Sequence, residues 1–175
     1  MMFNLFVPDI YQKSVYDINY QKLKKNGIKC IIFDLDNTLA SVNTKSPKKK
    51  LKDLIEDLKT MKFKIIIVSN STKKRVEPFK EILCVDSAHL SMKPTKRKYK
   101  KILKLYKFKP IEIACIGDQL LTDILGANRF DFTSILVNPI GTVDFAFTKI
   151  NRLIEGMIYE RLAKKDLLKK GEYYE

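Results

Sequence analysis

The sequence is poor in several features that would place a chain in familiar classes. Its three cysteines, Cys30, Cys84 and Cys115, form an odd and scattered set, which argues against a disulfide framework and against a zinc site. Cys30 and Cys115 fall in apolar, strand-like runs, so buried thiols in a reducing compartment are expected. The six glycines and six prolines occur singly, and no low-complexity stretch or solenoid-period repeat is present. No run approaches the roughly 20 apolar residues that span a bilayer. The opening MMFNLFVPDI is apolar but short, lacks a basic leader and is interrupted by Pro8 and Asp9, so it does not read as a signal peptide. A chain that is soluble, or that lies on a membrane surface, is expected. The single histidine, His89, receives no role.

Acidic residues are also scarce relative to basic ones. Thirty-four Lys and Arg oppose 20 Asp and Glu, a formal net charge of +14. Such an imbalance speaks about partners rather than fold: anionic lipid, nucleic acid or acidic protein. From Ser91 to Ile111 there are nine basic residues and no acidic one.

What is present is alternation. IKCIIFDL (28–35), KIIIVS (64–69) and IEIACI (111–116) are apolar on both sides, as buried parallel strands are. SILV (134–137) adds a last strand, and 84–90 reads as a short edge strand. Between them, Leu51, Leu54, Ile55, Leu58 and Met61 recur at helical spacing. Asn70, Ser71 and Thr72 offer caps for a helix through about Leu83. Tyr99, Ile102, Leu103 and Tyr106 share a helical face, and another helix is expected from about Gln119 to Asn128. Strands alternating with helices predict βαβ units and a parallel sheet. From Asp144 to the last residue, Phe147, Ile150, Ile154, Met157, Ile158 and Leu162 follow helical spacing beside Lys149, Arg152, Arg161, Lys164 and Lys165. This is an amphipathic basic helix, read either as packing back on the sheet or as lying on a membrane.

Four segments fall at C-terminal strand ends, the edge where ligands bind in open α/β sheets. Asp34 and Asp36, in DLDNTL, point the same way on an extended chain, and two carboxylates after a buried strand require compensating charge. A hard divalent cation such as Mg2+ supplies it; a pair of solvated loop aspartates is the plainer reading. Ser69-Asn70 pairs a hydroxyl with free N–H groups at a helix start, a phosphate cradle or an ordinary cap. Lys93, before Pro94, is a point charge suited to a phosphoryl group, or a surface lysine. Asp118 and Asp123, in GDQLLTD, offer further carboxylates to a cation, or cap a helix.

In order, these segments resemble the four motifs of the haloacid dehalogenase (HAD) superfamily, and the resemblance covers nearly the whole chain. FVPD, DLDNTL, SN, KP and GDQLLTDILGAN are similar to the YqeG-type phosphatases of subclass IIIA, relatives of the mitochondrial phosphatidylglycerophosphatases. The resemblance implies a single domain over 1–175: a three-layer Rossmann-like sandwich around a mainly parallel five-stranded sheet, without a cap domain. It implies Asp34 as the nucleophile that becomes an aspartyl phosphate, and Asp36 as the acid and then base. Ser69 and Asn70 would hold phosphoryl oxygens, and Lys93 would stabilise the intermediate. Mg2+ would sit among Asp34, Asp36, Asp118 and Asp123.

Only 34 steps along the chain separate Asp36 from Asn70, and 24 separate Ser69 from Lys93, so neither gap has room for a cap. In the superfamily, caps enclose small substrates, so an open site implies a bulky one. Phosphatidylglycerophosphate, an anionic lipid with a terminal phosphomonoester, fits the basic charge and the amphipathic helix. The expected setting is cytoplasmic, peripheral at the inner face of the membrane. A nucleic-acid or protein phosphatase and a non-catalytic assembly scaffold are the alternatives; no nucleic-acid module or stacking platform is visible. Oligomeric state is not legible.

Overall fold

A computed structural model describes residues 2–141 and 146–175, and for residues 2, 96 and 146–150 the backbone alone. Asp144 and the side chains of Phe147, Lys149 and Ile150, all assigned to the C-terminal helix, lie outside this description.

The strands are β1 (Ile10–Gln12), β2 (Cys30–Phe33), β3 (Lys64–Val68), β4 (Asp86–Ala88), β5 (Ile113–Gly117) and β6 (Thr133–Val137). They form a six-stranded sheet in the order β1-β6-β5-β2-β3-β4, every pair parallel. The sequence reading of five strands is short by one. β1 has three residues, too few to show alternation, and it is held at the edge by β6 on one side. On its other side, Tyr11 exchanges two 2.9 Å backbone hydrogen bonds with Tyr174.

The helices are α1 (Tyr20–Lys25), α2 (Lys49–Thr60), α3 (Lys73–Leu83), α4 (Lys96–Tyr106), α5 (Leu125–Asn128) and α6 (Ala146–Lys164). β2 shows how they layer. It is buried along its length, and its side chains alternate between faces. Ile31 and Phe33 meet Leu51, Ile55 and Leu58 of α2 and Val76 and Phe79 of α3. Cys30 and Ile32 face the other way, with Tyr99 and Ile102 of α4. Ile158 and Leu162 of α6 join Leu120, Ile124 and Leu136 in a third cluster, so this helix packs on the sheet side of the molecule. The opposite side of α6, with Leu153 and Met157, stays exposed. Cys30 and Cys115 are buried as expected, but Cys84 is exposed. It ends α3 in the left-handed conformation (φ 47°), where the chain turns outward before β4.

The register gathers the motif segments. Phe33 on β2 is level with Ile67 on β3 and Ile116 on β5. Asp34, Ser69 and Asp118 therefore leave three adjacent strands within about one residue of each other along the sheet.

Candidate active site

Lys93 is the centre of the site. Its Nζ donates 2.6 Å hydrogen bonds to Asp34 Oδ1 and to Asp123 Oδ1, and all three residues are buried. Asp34, Asp118 and Asp123 each bring a carboxylate oxygen to within 4.8 Å of the others. Three of the four sequence-assigned metal residues thus converge. The Asp36 carboxylate stands apart: Arg75 Nε donates to its Oδ1 at 2.8 Å, and the Ser71 hydroxyl donates to its Oδ2.

Local backbone explains these positions. After β2 the chain turns at once, with Asn37 in the left-handed region (φ 64°), which asparagine tolerates. The Asn37 N–H reaches the Ala40 carbonyl at 2.7 Å. That turn brings the Thr38 hydroxyl to Asp118 Oδ1 at 3.0 Å. After β5, residues Leu120–Ile124 form a wide π-type turn, which carries Asp123 back over Gly117. A Cβ on Gly117 would lie 2.2 Å from Asp123 Cγ, so only glycine leaves room for the carboxylate to reach Lys93.

The electrostatics follow from burial. Burial pushes the Asp34 carboxyl up to about 8, and the charges of Asp123 and Asp118 add to it against the pull of Lys93. Burial pushes Asp118 up to about 6 against the Arg152 charge. Burial alone would lower Lys93, but Asp123 and Asp34 outweigh it and hold the ammonium protonated, above its ordinary value. The carboxylates of Asp34, Asp118 and Asp123 meet Lys93 and Arg152 here, and Arg152 is shared with Glu155 at 3.3 Å, so carboxylates outnumber these cations. Hard oxygen donors with that balance fit a divalent cation beside a phosphate.

A cavity of about 610 Å³ opens onto this cluster, and Asp34, Asp36, Ser69, Lys93 and Thr122 line it. Ser69 is buried, and its hydroxyl accepts from the Ser71 N–H at 3.1 Å. Asn70 also lines the cavity, but its side chain holds the Lys93 loop. Its Oδ1 accepts the Lys93 N–H at 2.7 Å and the Ser91 hydroxyl at 3.0 Å.

Four further residues escape sequence reasoning. Ser71 and Arg75 hold Asp36, and Arg75 also ties the Ser41 and Thr44 carbonyls to it. Arg152, on α6, donates to the Asp118 carboxylate and, at 3.1 Å, to its carbonyl. Glu155 accepts the Leu121 N–H at 2.9 Å, and burial pushes it up to about 7. One signal was available. The chain has only five arginines among 34 basic residues, and two of them sit here, where planar multidentate donors are needed.

Fold and site together define a phosphoric monoester hydrolase of the HAD type. The family model described as mitochondrial PGP phosphatase matches residues 2–141, and the chain belongs to that family. The chain is 35% identical over 165 residues to the probable phosphatase YqeG of Bacillus subtilis, covering 94% of this chain and 96% of that protein. It is 24% identical over 172 residues to phosphatidylglycerophosphate phosphatase 1, chloroplastic/mitochondrial, of Arabidopsis thaliana, covering 92% of this chain and 49% of that one. Among solved structures, the cobalt-bound deoxy-D-mannose-octulosonate 8-phosphate phosphatase (YrbI) of Haemophilus influenzae shares the fold. Its TM-score is 0.51 at 18% identity, over 82% of this chain and 93% of that one.

Proposed function

We propose that this protein is a Mg2+-dependent phosphomonoesterase that works through an aspartyl phosphate on Asp34, with phosphatidylglycerophosphate as its substrate. One observation carries the reading: a carboxylate on the cavity wall, bridged by a buried lysine to a second carboxylate, one residue beyond the end of a central parallel strand.

Asp34 attacks phosphorus through a carboxylate oxygen, and the bond from phosphorus to the leaving alcohol breaks. Lys93 neutralises charge on Asp34 and the transferring group. Ser69 and the Asn70 backbone bind phosphoryl oxygens at the start of the segment leading into α3. Asp36 gives a proton to the leaving oxygen, then takes one from the water that attacks the acyl phosphate. Arg75 and Ser71 aim it. Asp34, Asp118 and Asp123 would hold Mg2+, with Thr38 and Arg152 orienting Asp118. The ion supplies charge compensation and polarises the phosphoryl group.

The lipid substrate is supported by the name of the Arabidopsis relative, by the family match and by the net charge of +14. Action at the inner, cytoplasmic face of a membrane follows from that substrate. No helix among the described residues is long and apolar enough to cross a membrane. The basic stretch from Ser91 to Ile111 favours a phosphorylated nucleic acid as the second reading. The test offers the purified protein with Mg2+ the lipid phosphate, 5′- and 3′-phosphorylated oligonucleotides and an aryl phosphate. Preferred turnover of the lipid is expected; turnover of an oligonucleotide instead would reverse the assignment.

A further inference from the structure

Some of the exposed apolar side chains lie next to site residues, while others, such as Ile82, Leu105 and Ile111, lie at the C-terminal ends of α3 and α4 and before β5. Leu90 (56% exposed) donates its N–H to the Ser71 carbonyl, and Met92 (62%) precedes Lys93. Ile140 (50%) donates its N–H to the Asn37 carbonyl, next to Asp36. Leu153 (74%) follows Arg152, the residue bound to Asp118, and Met157 (55%) lies one turn further along α6. Four of these five residues are thus within one or two covalent or hydrogen-bonded steps of a site residue, and all four crowd the C-terminal edge of the sheet. Leu90 and Met92 also hold left-handed backbone, at φ 44° and 56°, which is uncommon for a bulky residue.

Exposed leucine, methionine and isoleucine next to the residues of a polar catalytic site mark an interaction surface. The charges beside it identify the partner. Lys74 lines the cavity; Lys73 and Arg97 are exposed in the first turns of α3 and α4, which follow the cavity-lining residues Thr72 and Lys93. Apolar tips interspersed with cations match a bilayer surface of anionic lipid, where the tips enter the acyl boundary and the cations meet headgroups.

Resting on the phosphatase reading above, we infer that the rim formed by Leu90, Met92, Ile140, Leu153 and Met157 is a docking face for an anionic leaflet. It presses the cavity mouth onto the headgroup layer. α6 then has two sides with two tasks. Its inner side, through Arg152 and Glu155, holds the Asp118 loop, and its outer side enters the membrane surface.

The experiment uses the full chain in co-sedimentation with phosphatidylcholine vesicles, with and without phosphatidylglycerol. Turnover of a soluble aryl phosphate is measured in parallel. Wild type is expected on the anionic vesicles and not on the neutral ones. The double variant Leu153→Glu with Met157→Glu is expected to bind about tenfold less, since two apolar contacts are lost and two repulsive charges added. Leu153→Phe with Met157→Leu should bind as wild type. Ile111→Glu, at a 70% exposed position on the opposite edge of the sheet, should also bind as wild type. All should turn over the aryl phosphate alike. Unchanged vesicle binding by the double Glu variant overturns the inference, as does an equal loss for Ile111→Glu. A wild-type dimer that the double variant splits also overturns it, in favour of a second copy as the occupant. Aryl turnover without vesicle binding sinks the docking face alone. Vesicle binding that the double Glu variant abolishes, without any turnover, supports the face and sinks the phosphatase assignment.

Discussion

Replacing Gly117 by alanine adds one methyl group at the most crowded point of the site. The new Cβ would lie 2.2 Å from Asp123 Cγ, 2.3 Å from its Oδ2 and 2.4 Å from its Cβ, where ordinary contact begins near 3.4 Å. The near atoms include the root of the side chain, so rotation of the tip gives no relief. Asp123 must retreat by about 1 Å, and its 2.6 Å bond to Lys93 breaks. A displacement of about 1 Å in a catalytic constellation lowers turnover by roughly 10²-fold. Overpacking costs about 1–3 kcal/mol, or about 3–10 °C in melting temperature for a chain of this size. Gly156→Ala is the control. Nothing lies within 4 Å of its added Cβ, and it sits inside α6, so it should stabilise by about 0.5–1 kcal/mol and leave kcat unchanged. Aryl phosphate kinetics and thermal melting read both variants. Gly117→Ala with kcat within about twofold of wild type would refute the reasoning, because a loss of only ~0.4 kcal/mol is too small for a displaced Asp123.

Arg75→Ala should lower kcat by about 10- to 10²-fold with little change in KM, because it frees the Asp36 carboxylate to swing away from its catalytic position; a change confined to KM would make Arg75 a substrate contact instead. Metal-free protein should lose stability as pH rises from about 4 to about 8. Asp118, Glu155 and Asp34 titrate at about 6, 7 and 8 in the fold, all above their unfolded values, so the native state keeps protons that the unfolded chain has released. The loss should show as a falling midpoint in denaturant melts, and Mg2+ should restore more at pH 8 than at pH 5. A stability that rises across this window would contradict the assigned burial of these groups.

The parts of the site legible in the sequence were those marked by strand ends. Asp34, Ser69 and Asp118 each follow an apolar run, and parallel register brings the ends of such runs together. Lys93 was legible only through its place in the motif order, since lysine is common in this chain. Arg75 and Arg152 were not legible. Each acts from a helix through a long side chain onto a carboxylate 39 or 34 residues away, a distance that no local pattern encodes. Asp36 looked like a fourth member of the carboxylate cluster because it shares a strand face with Asp34. The turn at Asn37 and the Arg75 guanidinium direct it elsewhere. β1 was missed because three residues pair on the strength of tertiary context alone. The Gly117 requirement was visible as a motif letter, but its cause is the folding back of Asp123.

The central claim is that Asp34 is transiently phosphorylated. Wild-type protein turning over aryl phosphate with Mg2+ can be quenched with borohydride, which reduces an aspartyl phosphate to homoserine, and then digested for mass spectrometry. Homoserine at position 34, absent without substrate and absent in Asp34→Asn, is the expected result. Homoserine at another aspartate, or sustained turnover by Asp34→Asn, would contradict the account.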